Sequence, residues 1–301
     1  MHRKQSKYFL ILVIVSLGIM SKPAPTQQNK PNQGDSIFAG TMVDMTWQEV
    51  EKAAQEGAVI LTSTAVIEQH GPHMSCGIDT YLGYLYCTHV RKELESRGVK
   101  ALVAPPFFWG INSASHVFPG SFTVRPETMK ALLHDIFTSL KSWGFTDIIN
   151  INAHGDGAHI RTVIGAIIES RKSLGINVRY AMPDWQAKRS GLSGNEGFIL
   201  TYKAPEFDMA AMKYMDLHAG AYETGLVAAY FPSQLNEKVA KEQIATKVTM
   251  QELGEWVKDM RRVTPLGYLG DPANFDAEQA RKDFEEECRG LADAVENILK
   301  K

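Results

Sequence analysis

Between residues 46 and 182 the apolar positions change period repeatedly, from one helical face to short unbroken runs and back. Thr46-Trp47-Gln48-Glu49 has the capping-box pattern and opens a short helix that ends near Gly57. Ala58 to Val66 then reads as a strand apolar on both faces, as in the middle of a parallel sheet. Thr80 to Arg97 is helical in pattern and stops at Gly98, and Leu102-Val103-Ala104 is a second short strand closed by Pro105-Pro106. A glycine- and serine-rich loop, Trp109 to Val124, leads to a helix from about Pro126 to Trp143. Asp147 to Asn152 is the third strand, followed by Ala153-His154-Gly155-Asp156-Gly157 and a helix to about Leu174; Val178 to Met182 is the fourth.

This alternation predicts an α/β sandwich on a mostly parallel sheet. Past Pro183 the pattern loosens as far as Asp216, with Met209, Met212 and Met215 spaced as a helical packing stripe. A helix follows His218, and an amphipathic helix runs from Ala277 to Leu299. With no linker-like stretch in the middle and no repeat, residues 38–301 are expected to form one catalytic domain.

The first residues break this pattern. Met1 to Lys7 is basic and Phe9 to Met20 is an apolar run of twelve, short for a membrane span, so residues 1–21 are expected to be a signal peptide. Residues 22–37, rich in Pro, Gln and Asn, are expected to be a disordered linker. The mature chain would then be exported, periplasmic or secreted, with no stable membrane insertion after cleavage. A formal charge of -2 over 301 residues gives no bias toward nucleic acid, and 44% hydrophobic residues suffice for a sizeable core. Three cysteines, Cys76, Cys87 and Cys288, cannot all pair and form no CxxC; a Cys76–Cys87 bridge is possible by count alone.

The chemistry gathers where two strands end. Glu68 and His70 are two apart at the end of an extended segment and can point to one side, and Asp79 follows at the expected start of a helix. His154 and Asp156 repeat the two-residue spacing after the third strand. In parallel sheets the carboxyl ends of strands are where ligands bind. Two imidazoles and three carboxylates suit a pair of divalent cations, Zn or Mn before Ca or Mg, able to generate hydroxide at neutral pH. By residue type alone the same groups could equally be helix caps.

The run Glu68-Gln69-His70-Gly71-Pro72-His73 with Asp79 behind it resembles the signature of the creatininase (creatinine amidohydrolase) family. Further blocks similar to the family follow in order: Phe118-Pro119-Gly120-Ser121, Asn150 to Gly155, Asp216 to Gly220 with Glu223-Thr224, and Gly267 to Pro272. Together they cover roughly residues 40 to 275. The resemblance implies a three-layer α/β/α fold, a homo-oligomer (a hexamer), and a binuclear centre hydrolysing cyclic or linear amide C–N bonds such as that of creatinine. Carried over residue by residue, it puts Glu68 and His154 on one metal, His70 and Asp156 on the other, and Asp79 between them. Glu223 is the substitute ligand if Asp156 does not reach.

His218, in the His-Ala-Gly block, is the candidate to deliver a proton to the leaving nitrogen. His73 could orient a ligand, and Trp185 and His116, with Trp109, lie in loops expected to face the substrate. His89, His134 and His159 fall within helices and read as ordinary packed or solvated residues. Ala221-Tyr222 and Gly225 depart from the family pattern, which bears on the substrate more than on the metals. No GxSxG is present and Cys76 has no convincing base, so serine or cysteine nucleophiles are not supported. The alternatives are a deformylase or lactam hydrolase, or a non-catalytic exported protein binding a small cyclic ligand.

Overall fold

The computed structural model describes residues 38–205 and 213–300. The expected signal peptide and linker, and Met209 and Met212, lie outside them. The strands β1 (Val59–Thr64), β2 (Ala101–Val103), β3 (Asp147–Asn152), β4 (Asn177–Pro183) and β5 (Ile199–Tyr202) form one sheet in the order β2-β1-β3-β4-β5, every pairing parallel. Between and after them run α1 (Trp47–Gln55), α2 (Ile78–Ser96), α3 (Pro126–Ser142), α4 (Gly157–Leu174), α5 (Asp184–Arg189), α6 (Ala221–Tyr230), α7 (Glu237–Lys241), α8 (Met250–Lys258), α9 (Met260–Val263) and α10 (Ala277–Leu299).

The alternation of side chains along each strand divides the core in two. Val59, Leu61, Ile149, Ile151, Leu200 and Tyr202 face α2, α6 and α10, whereas Ile60, Ile148, Val178, Tyr180 and Met182 face α1, α3 and α4. Strands buried on both sides explain the unbroken apolar runs, and the result is an α/β/α sandwich. Ile60, Leu61, Ile148 and Ile149 are fully enclosed, each contributing roughly 1.5–3 kcal/mol of transfer free energy. The capping box predicted at Thr46 and Glu49 is present at the start of α1.

Two expectations are corrected. The segment after Pro183 holds a fifth strand as well as α5. β5 has only four residues, and it pairs on one side only, with β4, so its periodicity is too short to stand out. Cys76, Cys87 and Cys288 are all free thiols. Among the described residues no helix is long and apolar enough to cross a membrane.

The sheet centre is also polar in one place. Asn150 is fully buried on β3, opposite Thr62 of β1; it donates to Thr62 Oγ1 (3.1 Å) and accepts from Thr64 Oγ1 (3.2 Å). Thr64 also donates to Asn152 Oδ1 (3.3 Å), and Asn152 in turn donates to the carbonyl of His154. This ladder satisfies groups whose burial would otherwise cost about 1–3 kcal/mol each, and it ends at the carboxyl edge. There the chain leaves β1 toward β2 on one side and leaves β3 toward β4 on the other, which opens a crevice between β1 and β3.

Candidate metal centre

That crevice receives side chains from four segments. Glu68 and His70 follow β1, His154 follows β3, Asp79 lies in the first turn of α2, and Glu223 lies in the first turn of α6. The α2 and α6 N-termini therefore bring the positive ends of their dipoles to the two carboxylates. His218 enters from the strand-like stretch that pairs with Leu269, just before α6. Glu68, His70, Asp79, His154 and His218 are all buried.

The contacts form one connected set. His154 Nδ1 lies 3.0 Å from Glu68 Oε1 and 2.9 Å from Asp79 Oδ2; His70 Nε2 lies 3.1 Å from Asp79 Oδ1; His218 Nδ1 is 3.7 Å from Glu68 Oε1. Three groups have donor atoms close enough to share an ion: Glu68, Asp79 and His154; His70, Asp79 and Glu223; and Glu68, His70 and His218. Asp79 belongs to the first two, one oxygen turned to each histidine.

Each histidine gives its other ring nitrogen to a backbone carbonyl. His70 Nδ1 donates to Glu68 O (3.0 Å), His154 Nε2 to Ile111 O (3.0 Å) and His218 Nε2 to Gln69 O (2.8 Å). A carbonyl can only accept, so these bonds fix which nitrogen faces the carboxylates. In His70 and His154 that nitrogen lies within 3.1 Å of a carboxylate oxygen, so it must carry either a second proton or a cation. The electrostatics agree. Burial alone would keep His70 neutral, but Asp79 beside it raises its pKa to about 10, and Glu68 and Asp79 likewise raise His154 against its burial. Asp79 is held well below the usual carboxylate range, its desolvation outweighed by His70 and His154; Glu68 is lowered against its burial by His218 and His154. Asp79 Oδ2 has no well-aligned hydrogen bond although His154 is in contact. The carboxylates thus draw positive charge to these two nitrogens, and in place of the two protons the donor set fits divalent cations.

Asp156 stands elsewhere. It is the N-cap of α4, accepting from the N–H groups of Ala158 (2.7 Å) and His159 (3.0 Å) and from Ser113 N (2.7 Å), so it is not brought into any of the three groups. Glu223 stands in one of the three groups, with His70 and Asp79, while also accepting from the N–H of Ala219. Ala219 has φ 51°, a left-handed backbone that costs an alanine about 1–2 kcal/mol. This turn sends its N–H to Glu223 and its carbonyl to His73 Nε2 (3.1 Å), and it links both to His218. His73 is itself buried and outside the groups, its pKa lowered to about 4 by burial.

The residues expected at the substrate are spread out. His116 is exposed on a short 3-10 helix and bonds Ser113 O, and Trp109 is exposed and packs on Phe108 and Phe122. Trp185 lies on α5 under Arg189 and lines a cleft with Lys203 and Arg289. Gln69 and α9 went unread in the sequence. The Gln69 amide donates to Gly267 O (2.7 Å), accepts from Gly71 N (2.9 Å) and touches Met260 Sδ (3.2 Å), tying the motif to the loop above it. At Gly267, φ is +78° and a Cβ would sit 2.1 Å from Gln69 Oε1, so only glycine fits.

Comparison with known proteins agrees with this architecture. Residues 43–295 match the family model described as Creatininase, creatinine amidohydrolase. The creatinine amidohydrolase of Pseudomonas putida is 24% identical over 276 residues, covering 86% of this chain and 96% of that one. The mycofactocin precursor peptide peptidase of Mycolicibacterium smegmatis is 24% identical over 243 residues, covering 79% and 84%. A creatininase crystal structure superposes with a TM-score of 0.67 at 19% identity, covering 87% of this chain and 98% of that one; solved creatininases include a Zn-Zn form, a Mn form and a complex with creatine. With its parallel sheet and the matched span of residues 43–295, the chain belongs to the creatininase family.

Proposed function

We propose that this creatininase-family amidohydrolase opens the C–N bond of a small cyclic or linear amide at a centre built for two cations. The observation that carries the reading is Asp79, whose two oxygens face His70 and His154 and which joins two three-residue donor groups. Glu68, Asp79 and His154 would hold one ion and His70, Asp79 and Glu223 the other, Zn or Mn by the chemistry of the donors. Such ions polarise a carbonyl oxygen and acidify water.

The protein's own groups do the rest. Glu68 and Asp79 hold negative charge in a desolvated site, and the three carbonyl anchors keep the imidazoles from rotating. His218 spends Nε2 on Gln69 O, which leaves Nδ1 as its only ring atom able to pass a proton toward the centre, at the departing nitrogen. A peptide-like linear amide is the second reading. Its support is the match to the peptidase, at the same 24% identity as the match to creatinine amidohydrolase.

The basic and apolar N-terminus supports export, and a homo-oligomer is supported by Trp47, Leu132 and Trp143, all exposed around one apolar cavity of about 860 Å3. The binding-protein alternative would need a gap in the donor set, and each of the two groups offers three donors. The test is elemental analysis of the purified full chain beside amine release from creatinine, other cyclic amides and short peptides. Two equivalents of Zn or Mn, with turnover abolished by a chelator, is the expected result. Protein that stays folded, takes up no metal and remains inert after reconstitution overturns it.

A further inference from the structure

His159 was set aside in the sequence as an ordinary helical histidine, yet it is completely buried in the first turn of α4 and touches the centre through one residue. Its Nδ1 accepts the N–H of Ile111 (3.2 Å), and the carbonyl of Ile111 accepts from His154 Nε2 (3.0 Å). The two rings stand edge to face with centroids 5.0 Å apart. Ile111 is thus clamped between two imidazoles, N–H on one and C=O on the other.

The loop has no room to shift. A Cβ at Gly110 would lie 2.3 Å from His159 Nδ1 and 2.6 Å from Val66 Cγ1. The next residues are pinned as well: Asn112 N donates to Thr123 Oγ1 (3.1 Å) and Ser113 N to Asp156 Oδ2 (2.7 Å). Of these ties, the one through Ile111 leads directly to a ring that faces Glu68 and Asp79. His159 Nε2 meanwhile is buried without a hydrogen-bond partner among the described residues. An unpaired buried N–H is costly, and an apolar side chain of similar size would fill the space without it. What the imidazole adds is the acceptor at Nδ1.

We propose that His159 is a positioning residue, which holds the backbone of Ile111 so that His154 turns Nδ1, and not Nε2, toward Glu68 and Asp79. This rests on the reading that Glu68, Asp79 and His154 hold a cation. A mere packing role and the positioning role predict opposite orders for two variants. His159→Leu keeps the volume and loses the acceptor; His159→Asn loses volume but keeps an oxygen near the position of Nδ1.

The experiment is Zn titration of the purified full chain against a chromophoric chelator, with melting curves for each variant. 15N spectra of the Zn-loaded protein report which nitrogen of His154 carries the proton. His159→Leu is expected to weaken one of the two Zn sites by roughly 10–100-fold and to mix the His154 tautomers, while His159→Asn stays close to wild type in both despite a lower Tm. Gly110→Ala, which displaces the ring and leaves it intact, is expected to repeat the His159→Leu loss and serves if His159→Leu does not fold. Zn affinity unchanged in His159→Leu, or as weak in His159→Asn as in His159→Leu, overturns the proposal. Wild-type protein that binds no Zn removes the centre itself, a failure distinct from both.

Discussion

Asp79→Asn is the sharpest perturbation of the centre, because it alters one charge and almost no volume. In the metal-free protein the Asp79 carboxylate accounts for much of the rise of His70 from an ordinary 6.5 to about 10, which at about 1.36 kcal/mol per tenfold change in proton affinity corresponds to roughly 5 kcal/mol. With the carboxylate gone, His70 and His154 return toward their neutral forms. For cations the loss is shared. A four-donor zinc site is worth about 10–16 kcal/mol, or roughly 3 kcal/mol per donor, so removing a donor common to both groups weakens each site by about 10²-fold. Glu223→Gln takes a donor from one group only. Elemental analysis after dialysis against a weak chelator should therefore find wild type with two equivalents, Glu223→Gln with one and Asp79→Asn with none. Asp79→Asn retaining one full equivalent, or Glu223→Gln losing both, refutes the bridging arrangement.

Further outcomes follow from the same geometry. His73→Ala should keep both metals and lose stability through its lost bond to Ala219 O; loss of an equivalent would make His73 a ligand. Asp156→Ala removes the α4 cap and should cost about 0.5–2 kcal/mol in denaturant unfolding with metal content unchanged, whereas loss of one equivalent would restore Asp156 as a ligand. In metal-free protein the raised pKa of His70 stabilises the fold fully below about pH 6.5 and is lost as pH rises through 10; the lowered pKa of Asp79 stabilises above its ordinary 3.8 and is lost as pH falls. Melting curves of chelator-treated protein should therefore show these contributions together between about pH 4 and 6.5. Because Zn must displace the His70 and His154 protons, its affinity should climb with pH from about 6 to 9, and a pH-independent affinity refutes the ligand assignment.

Much of this was legible because it rests on local pattern. Residues 58–66 are apolar on both faces, so they read as a central strand, and the helices announced themselves through Pro126, the capping box at Thr46 and Gly98. Glu68, His70 and Asp79 stand in the signature that carried the family resemblance, and His154 in the block Asn150 to Gly155 that followed it. β5 was too short to show a period, and α8 was missed although Thr249 and Glu252 form a second capping box. Asp156 and Glu223 differ for another reason. Both carboxylates lie at the start of a helix, where a cap and a ligand look alike in sequence; only the path of the loop through Ser113 shows that Asp156 is committed to the backbone. The carbonyls of Glu68, Gln69 and Ile111 left no trace at all, since every residue carries one.

That last point bears on how such a site can change. The groups that orient His70, His154 and His218 are peptide oxygens, and no single substitution deletes a peptide oxygen. Where a side chain does not hold one of these backbones in place, as His159 holds that of Ile111, it can be exchanged by mutation while the three imidazoles keep their aim. A chain of this design can therefore explore new substrates without first dismantling the apparatus that activates them.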